Sequence, residues 1–318
     1  MRDIISVLGK VTGEKLGVCQ CHEHLMLRKG EGYYLNPDLC MDDMDKSLNE
    51  AERYWKAGGT SLVDAQPVGC CRMEKELCEI ARRTGVIIIA STGFHKRAFY
   101  PSGHWLFQKK ESELQAVFEA ELFGGMYEGC DNEFSEKQLP AQAGIVKIAL
   151  EDADGFREGK ARFTAAVCAA VHGKKSLLVH TEPDSPVLEF LDFAEKLGME
   201  PGRIGICHMD RTKADKELHL EVVRRGAFLE YDTIGRLKYH DNEAEADLIL
   251  KIVESGFADR LLLSLDTTAA RMKAYREDAI GLDYILTEFL PFLVQKGLDE
   301  KIILKMLTDN SRYYLEAE

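Results

Sequence analysis

Two cysteines, two histidines and a glutamate crowd into VCQCHEHLML, residues 18–27. Imidazole, carboxylate and thiolate are the donor groups that zinc and other first-row divalent ions prefer. Spacing sorts them. Along an extended strand successive side chains alternate faces, so Val18, Gln20, His22 and His24 share one side and Cys19, Cys21 and Glu23 the other. A His-x-His pair turned to one side can chelate one ion. The cysteines are then expected to turn away and pack against helices. No Cys-x-x-Cys pair is present among the nine cysteines, which argues against a structural zinc ribbon.

The same alternation applies to other short apolar runs. SLLVH sets Leu178 and His180 on one face, RIGICH does so for Ile206 and His208, and LLLSLD for Leu262, Ser264 and Asp266. In GIVKIAL, Ile145, Lys147 and Ala149 share a face, which embeds a lysine among apolar residues. A lone buried ammonium is costly, so by itself Lys147 reads as a strand-end lysine that reaches solvent or pairs with a carboxylate. One strand-end histidine is usually a hydrogen-bonded core residue. Four histidines and an aspartate, each ending a strand or paired in His-x-His, point to a metal centre. Of the remaining histidines, His172 and His219 fall in helical patterns and are expected to be exposed, whereas His95 and His240 fall in loops that could border a substrate.

Such residues need a scaffold that brings strand ends together. The strand candidates are KLGVCQCH, TSLVDAQ, VIIIAST, GIVKIAL, SLLVHT, RIGICH, AFLEYD and LLLSLD. Between and after them lie segments of amphipathic spacing: DKSLNEAERYWKAG, RMEKELCEIARRTG, ESELQAVFEAELFGGM, GKARFTAAVCAAVHG, SPVLEFLDFAEKLG, KADKELHLEVVRRG, EAEADLILKIVESG and GLDYILTEFLPFLVQKG. Several close on glycine, a helix-end signal. Eight strand–helix units predict an α/β fold, a (β/α)8 TIM barrel, with the chemistry at the C-terminal face of its strands. A doubly wound sheet is the alternative, but no Gly-x-Gly-x-x-Gly fingerprint follows the first strand. No Pro-, Gly- or Ser-rich linker divides the chain, so residues 1–318 are read as one domain. The stretch 95–143 is longer than its neighbours and is expected to carry an extended loop at the strand ends.

The chain is acidic, with net charge −13 over 318 residues. A protein that tracks nucleic-acid phosphates would ordinarily be basic. No apolar run approaches a membrane span, and the opening MRDIISVLGKVTGEK holds too short an apolar stretch for a secretory signal. An odd number of scattered cysteines then reads as reduced thiols in a cytoplasmic protein. The expected partner is a small molecule, and the sequence leaves room for a homodimer.

The set HEHL, AGIVKIA, VHTE, CHMD and LSLD, in this order along essentially the whole chain, resembles the phosphotriesterase-related family of the amidohydrolase superfamily. The resemblance implies a binuclear centre of two divalent ions, zinc by first expectation, with manganese or cobalt also suited. His22, His24 and Asp266 would bind one ion and His180 and His208 the other. Lys147, carboxylated by CO2 to a carbamate, would bridge them, which removes the cost of a buried ammonium. A bridging hydroxide would attack the substrate, with Asp266 as general acid–base. The departures QPVGCCRM and DNSRYY do not touch the metal set but bear on the substrate pocket.

Basic residues follow several strands: His95, Lys96 and Arg97 in FHKRAFY, Arg236 and Lys238 in DTIGRLKYHD, and Arg271 in DTTAARMK. Converging on one barrel mouth, they would clamp an anion. DTIGR and the Asp266-to-Arg271 spacing also resemble the family branch that hydrolyses phosphorylated sugar lactones. The expected function is opening of such a lactone, with Arg271 and Lys238 as principal phosphate contacts. The alternatives are a phosphotriesterase or neutral lactone and carboxylester hydrolase, or a non-catalytic metal-binding barrel.

Overall fold

A computed structural model describes residues 3–212 and 215–316. Lys213 and Ala214, which open the KADKELHLEVVRRG segment, lie outside the described residues, as do Met1, Arg2, Ala317 and Glu318. The chain starts with an antiparallel hairpin, β1 (Asp3–Ser6) and β2 (Gly9–Thr12). Eight parallel strands follow: β3 (Cys19–Glu23), β4 (Ser61–Asp64), β5 (Ile87–Gly93), β6 (Ile145–Leu150), β7 (Leu177–Thr181), β8 (Ile204–Cys207), β9 (Phe228–Tyr231) and β10 (Leu261–Leu263). Each pairs with its sequence neighbour in the order β3 to β10. Helices stand between them, making a (β/α)8 barrel. No helix among the described residues is long and apolar enough to cross a membrane.

The first and last strands meet through specific bonds rather than a regular ladder. Asp266 N donates to His22 O at 3.1 Å, and His22 N donates to Ser264 Oγ at 3.0 Å. The buried Glu23 carboxylate accepts from Leu265 N at 2.7 Å and Thr267 N at 3.1 Å. Glu23 thus clasps the seam directly beside His22 and His24, and barrel closure and site geometry share the same residues.

The helices arise where amphipathic spacing and capping agree. Met44–Lys56 starts on Asp43, whose side chain accepts from Lys46 N at 3.1 Å, and Asn242–Glu254 starts on Asp241, which accepts from Ala244 N at 2.9 Å. Glu74–Thr84 ends on Gly85 at φ +80°, a left-handed cap that costs glycine little. The loop expected over 95–143 contains two short 3-10 turns, Arg97–Phe99 and Trp105–Phe107, before the helix Glu111–Phe123.

Apolar side chains form two layers. The larger lies between strands and helices; the smaller fills the barrel with Val63, Ile89, Ile145, Leu178, Phe228 and Leu262. Tyr314 closes the end remote from the histidines, its hydroxyl donating to Leu177 O at 2.9 Å. Gly205 leaves it room, since a Cβ there would stand 2.8 Å from the Tyr314 hydroxyl.

Cys19 and Cys21 correct the expectation drawn from strict alternation. Both pack in the barrel interior, with Sγ atoms 3.9 Å apart, instead of facing the helices. The pairing of β3 with β4 shifts register between Gln20 and Glu23. Such an irregularity interrupts the two-residue period, so Cys21 and His22 both turn inward. A second correction concerns β8. Ile206 belongs to the outer layer and Cys207 to the interior, so strict alternation would turn His208 outward with Ile206. His208 reaches the barrel mouth because its backbone is left-handed, φ +62°. His219 is a third: it is buried, with Nδ1 2.7 Å from the Tyr231 hydroxyl.

Candidate metal centre

Side chains from five strands converge at the C-terminal end of the barrel. His22 stands in β3 and His24 just beyond it; Lys147 lies in β6 and His180 in β7. His208 and Asp266 follow β8 and β10. Lys147 Nζ lies 3.1 Å from His22 Nε2. Asp266 Oδ1 lies 3.5 Å from His24 Nε2 and 3.7 Å from His22 Nε2. His208 Nε2 lies 2.8 Å from His180 Nδ1.

The outer partners of these rings fix which nitrogen faces inward. Asp232 accepts from His22 Nδ1 at 2.8 Å through Oδ2 and from His208 Nδ1 at 2.6 Å through Oδ1. Glu182 Oε1 accepts from His180 Nε2 at 3.1 Å. A carboxylate can only accept, so each of those nitrogens carries the hydrogen. The lone pairs of His180 Nδ1 and His208 Nε2 then point at each other across 2.8 Å. Two opposed lone pairs repel unless a cation lies near both, and an imidazole held from behind by a carboxylate is the usual metal-binding arrangement. His22, His24 and Asp266 offer ligand atoms within 4.8 Å of one another, as do His22, His208 and Asp232. The residues therefore fit a divalent metal site.

Electrostatics agree. Burial, aided by Lys147, takes His22 down to about 4, and burial takes His180 down to about 3. Burial and then Arg211 hold His208 well below the ordinary value. All three rings are neutral at neutral pH, as metal ligands must be. Burial alone would raise Asp232, but His208 and His22 hold it below the ordinary carboxylate value. Asp266 is likewise held down, by Arg236 first, against the effect of burial.

The backbone is bent to deliver these groups. His208 at φ +62° and Asp266 at φ +49° are non-glycine residues in the left-handed region, a conformation that clusters at functional sites because the surrounding fold must hold it. Gly93, at φ +105°, lies against Lys147; a Cβ there would come within 2.0 Å of the Lys147 carbonyl oxygen.

Above the centre lies an open cavity with room of about 140 Å³. His24, His180, His208 and Asp266 form its floor, and Arg28, Lys96, Arg211 and Arg236 stand around it. Arg211 Nη2 and Arg236 Nη1 each donate to Asp266 Oδ2 at 3.0 Å, and Arg236 also bonds the Asp266 carbonyl. Lys96 Nζ donates to Glu182 Oε1 at 2.8 Å, and Arg28 pairs with Asp131 at 2.5 Å. Tyr33, Asn36, Phe99 and Tyr239 complete much of the upper wall.

Of the residues expected around the substrate, His95, Lys96 and Arg236 line this cavity. Arg271 lies behind it: its buried guanidinium donates through Nη2 to Ile234 O at 2.5 Å, in the loop that carries Arg236. Lys238 is exposed, 4.6 Å from the centre of the Tyr239 ring. Arg97 stacks on Phe107 at 4.1 Å and lines a neighbouring cavity with Arg162. His240 is buried against Glu245 at 3.0 Å, in a group with Asp210, and does not border the main cavity.

Sequence reasoning missed Asp232, Glu182, Arg28 and Arg211. Asp232 was within reach, since AFLEYD places Phe228, Glu230 and Asp232 on one face at a strand end, as LLLSLD does for Asp266. Arg211 stands three residues beyond His208, and its direction depends on the short 3-10 turn Met209–Thr212.

The comparisons with known proteins agree with this geometry. A phospho-furanose lactonase of Mycoplasmopsis synoviae is 31% identical over 323 residues, covering 98% of this chain and 90% of that protein. An amidohydrolase structure from Mycoplasma synoviae superposes with a TM-score of 0.93 at 28% identity, covering 100% of this chain and 92% of that one. A lactonase structure from Listeria monocytogenes gives 0.90 at 25% identity, covering 99% of both chains. The phosphotriesterase family model matches residues 2–315. The chain belongs to the phosphotriesterase family of ester-hydrolysing enzymes.

Proposed function

We propose that this protein is a metal-dependent lactonase that opens the ring of a phosphorylated sugar lactone. The observation that carries this reading is the cationic wall: an acidic chain sets Arg28, Lys96, Arg211 and Arg236 around one cavity above its histidines. Similarity to phospho-furanose lactonases at 31% and 30% identity supports the same substrate class. His22, His24 and Asp266 would hold one divalent ion and His180 and His208 the other, with Lys147 as its carbamate between them. Zinc, manganese and cobalt all suit this donor set. Divalent ions held there supply Lewis acidity and a nucleophile drawn from water at neutral pH.

The chain's own residues bind, orient and move the proton. A phosphate on the sugar would meet the guanidinium and ammonium groups of the wall, each able to form charge-assisted hydrogen bonds. Arg271 anchors the Ile234 carbonyl and so the loop that presents Arg236, while Lys238 lies exposed beside Tyr239. As water adds to the lactone carbonyl and the ring C–O bond breaks, one proton must leave the water and one must reach the ring oxygen. Asp266 Oδ2 faces the cavity between two guanidinium groups that favour its ionised form. A carboxylate so placed can take the proton that leaves the water and, once protonated, return it to the leaving ring oxygen.

The test is a matched pair: a furanose lactone carrying a distal phosphate and the same lactone without it, assayed with the zinc-loaded enzyme. Preference for the phosphorylated compound by roughly tenfold or more in kcat/KM is expected. Equal turnover, or preference for the neutral lactone, would overturn the substrate reading.

A further inference from the structure

Glu182 stands between the two halves of the site. Its Oε1 accepts from His180 Nε2 at 3.1 Å and from Lys96 Nζ at 2.8 Å. One oxygen therefore serves a ring whose other nitrogen faces the candidate metal centre and an ammonium that lines the anion side of the cavity. The rest of Glu182 is fixed: its backbone N donates to Ser185 Oγ at 2.8 Å, and that hydroxyl donates to Glu151 O at 2.9 Å. Lys96 has less to hold it. Its side chain is a quarter exposed, and the Phe99 ring is 5.2 Å away.

We infer that Glu182 is a positioning residue with two opposed duties: it fixes His180 with Nδ1 turned inward, and it competes with an anionic substrate for Lys96. This rests on the metal-centre reading above. The first duty follows from the acceptor character of a carboxylate. With Glu182 in place His180 carries its hydrogen on Nε2, and Nδ1 keeps a lone pair for the ion; without an acceptor there, the ring is free to carry the hydrogen on Nδ1 or to turn. The second follows from charge. A bound anion that takes up Lys96 leaves the carboxylate to His180 alone, so occupation of the anion side tightens the hold on the ring.

Two near-isosteric variants separate the duties in the full-length, zinc-loaded protein. The amide oxygen of Glu182→Gln still accepts from His180 Nε2 but attracts Lys96 weakly. Glu182→Leu offers no acceptor. Zinc affinity is read by competition with a chromophoric chelator, and anion affinity by titration with inorganic phosphate. Glu182→Leu is expected to weaken one of the two zinc ions by roughly 10- to 100-fold, with Glu182→Gln close to the unsubstituted protein. Glu182→Gln is expected to tighten phosphate binding, by up to about fivefold for a partly exposed ion pair, and the gain should vanish when Lys96→Met is added. A Glu182→Leu protein that holds both zinc ions as tightly as the unsubstituted one overturns the first duty. A phosphate gain that persists without Lys96, or no gain at all, overturns the second. Neither titration uses a lactone, so a chain that hydrolyses no phosphorylated lactone fails the proposed function without touching this inference.

Discussion

Asp232 joins two histidines that lie 186 residues apart in sequence: Oδ2 is 2.8 Å from His22 Nδ1 and Oδ1 is 2.6 Å from His208 Nδ1. One fully buried carboxylate thereby sets the inward nitrogen of both rings, which the resemblance assigns to different ions. In Asp232→Asn the amide NH2 must oppose one of the two N–H groups. That ring then either turns or moves its hydrogen to the inward nitrogen. Loss of metal affinity by roughly 10- to 100-fold is expected, read by chelator competition on the folded variant. Wild-type zinc affinity in Asp232→Asn would show that the carboxylate does not orient the pair.

Asp266→Asn tests proton transfer. Asparagine keeps the shape of the group but cannot carry a proton between oxygens. The variant should still bind metal through its histidines, while kcat falls by about 10²- to 10⁴-fold, the scale of a lost general acid–base. Metal content by elemental analysis and single-turnover rates decide it; an unchanged rate would remove Asp266 from the chemistry.

Lys147 is wholly buried, 3.1 Å from His22 Nε2 and 3.9 Å from Cys207 Sγ. A carbamate would convert it from a cation to an anion. Protein loaded with zinc under ¹³C-labelled CO2 should show one carbamate carbon resonance that is missing in Lys147→Met. The same resonance in both proteins would place the modification elsewhere.

Acid should destabilise the metal-free chain through its buried histidines. His22 at about 4 and His180 at about 3 lie below the ordinary 6.5. A folded-state value below the unfolded one contributes stability that is present above pH 6.5 and is lost as pH falls towards the folded value. Each ring should cost about 2 kcal/mol between pH 6.5 and 5. Urea midpoints at pH 7 and pH 5 measure it. His180→Asn should show the smaller drop; an equal drop would mean that His180 does not carry the dependence.

Much of the site was legible because its residues sit in strands, and strand periodicity is a local property. Lys147, His180 and Asp266 were placed by counting along apolar runs, and Leu178, Ile145 and Leu262 lie in the barrel interior on the same face as expected. The count failed where the backbone departs from a regular strand. The register shift in β3 brings Cys21 inward beside His22, and the left-handed His208 turns back towards the barrel axis after Cys207. Neither departure has a mark such as glycine at the residue concerned.

The barrel and the donor types follow from local pattern alone. Alternating apolar strands and amphipathic helices can bury their faces together in few ways, and the His-x-His, Lys, His, His, Asp series lies in or just after its strands in chain order. Tertiary structure decided which cations face the cavity and which carboxylates stand behind the histidines. Arg28 and Arg211 enter the wall, whereas Arg271 is spent on the Ile234 carbonyl and Lys238 is left at the surface. The physical reason is reach. A long side chain on a loop can satisfy its charge in several directions, and the choice depends on partners far away in sequence: Asp131 for Arg28, Asp266 for Arg211 and Glu182 for Lys96.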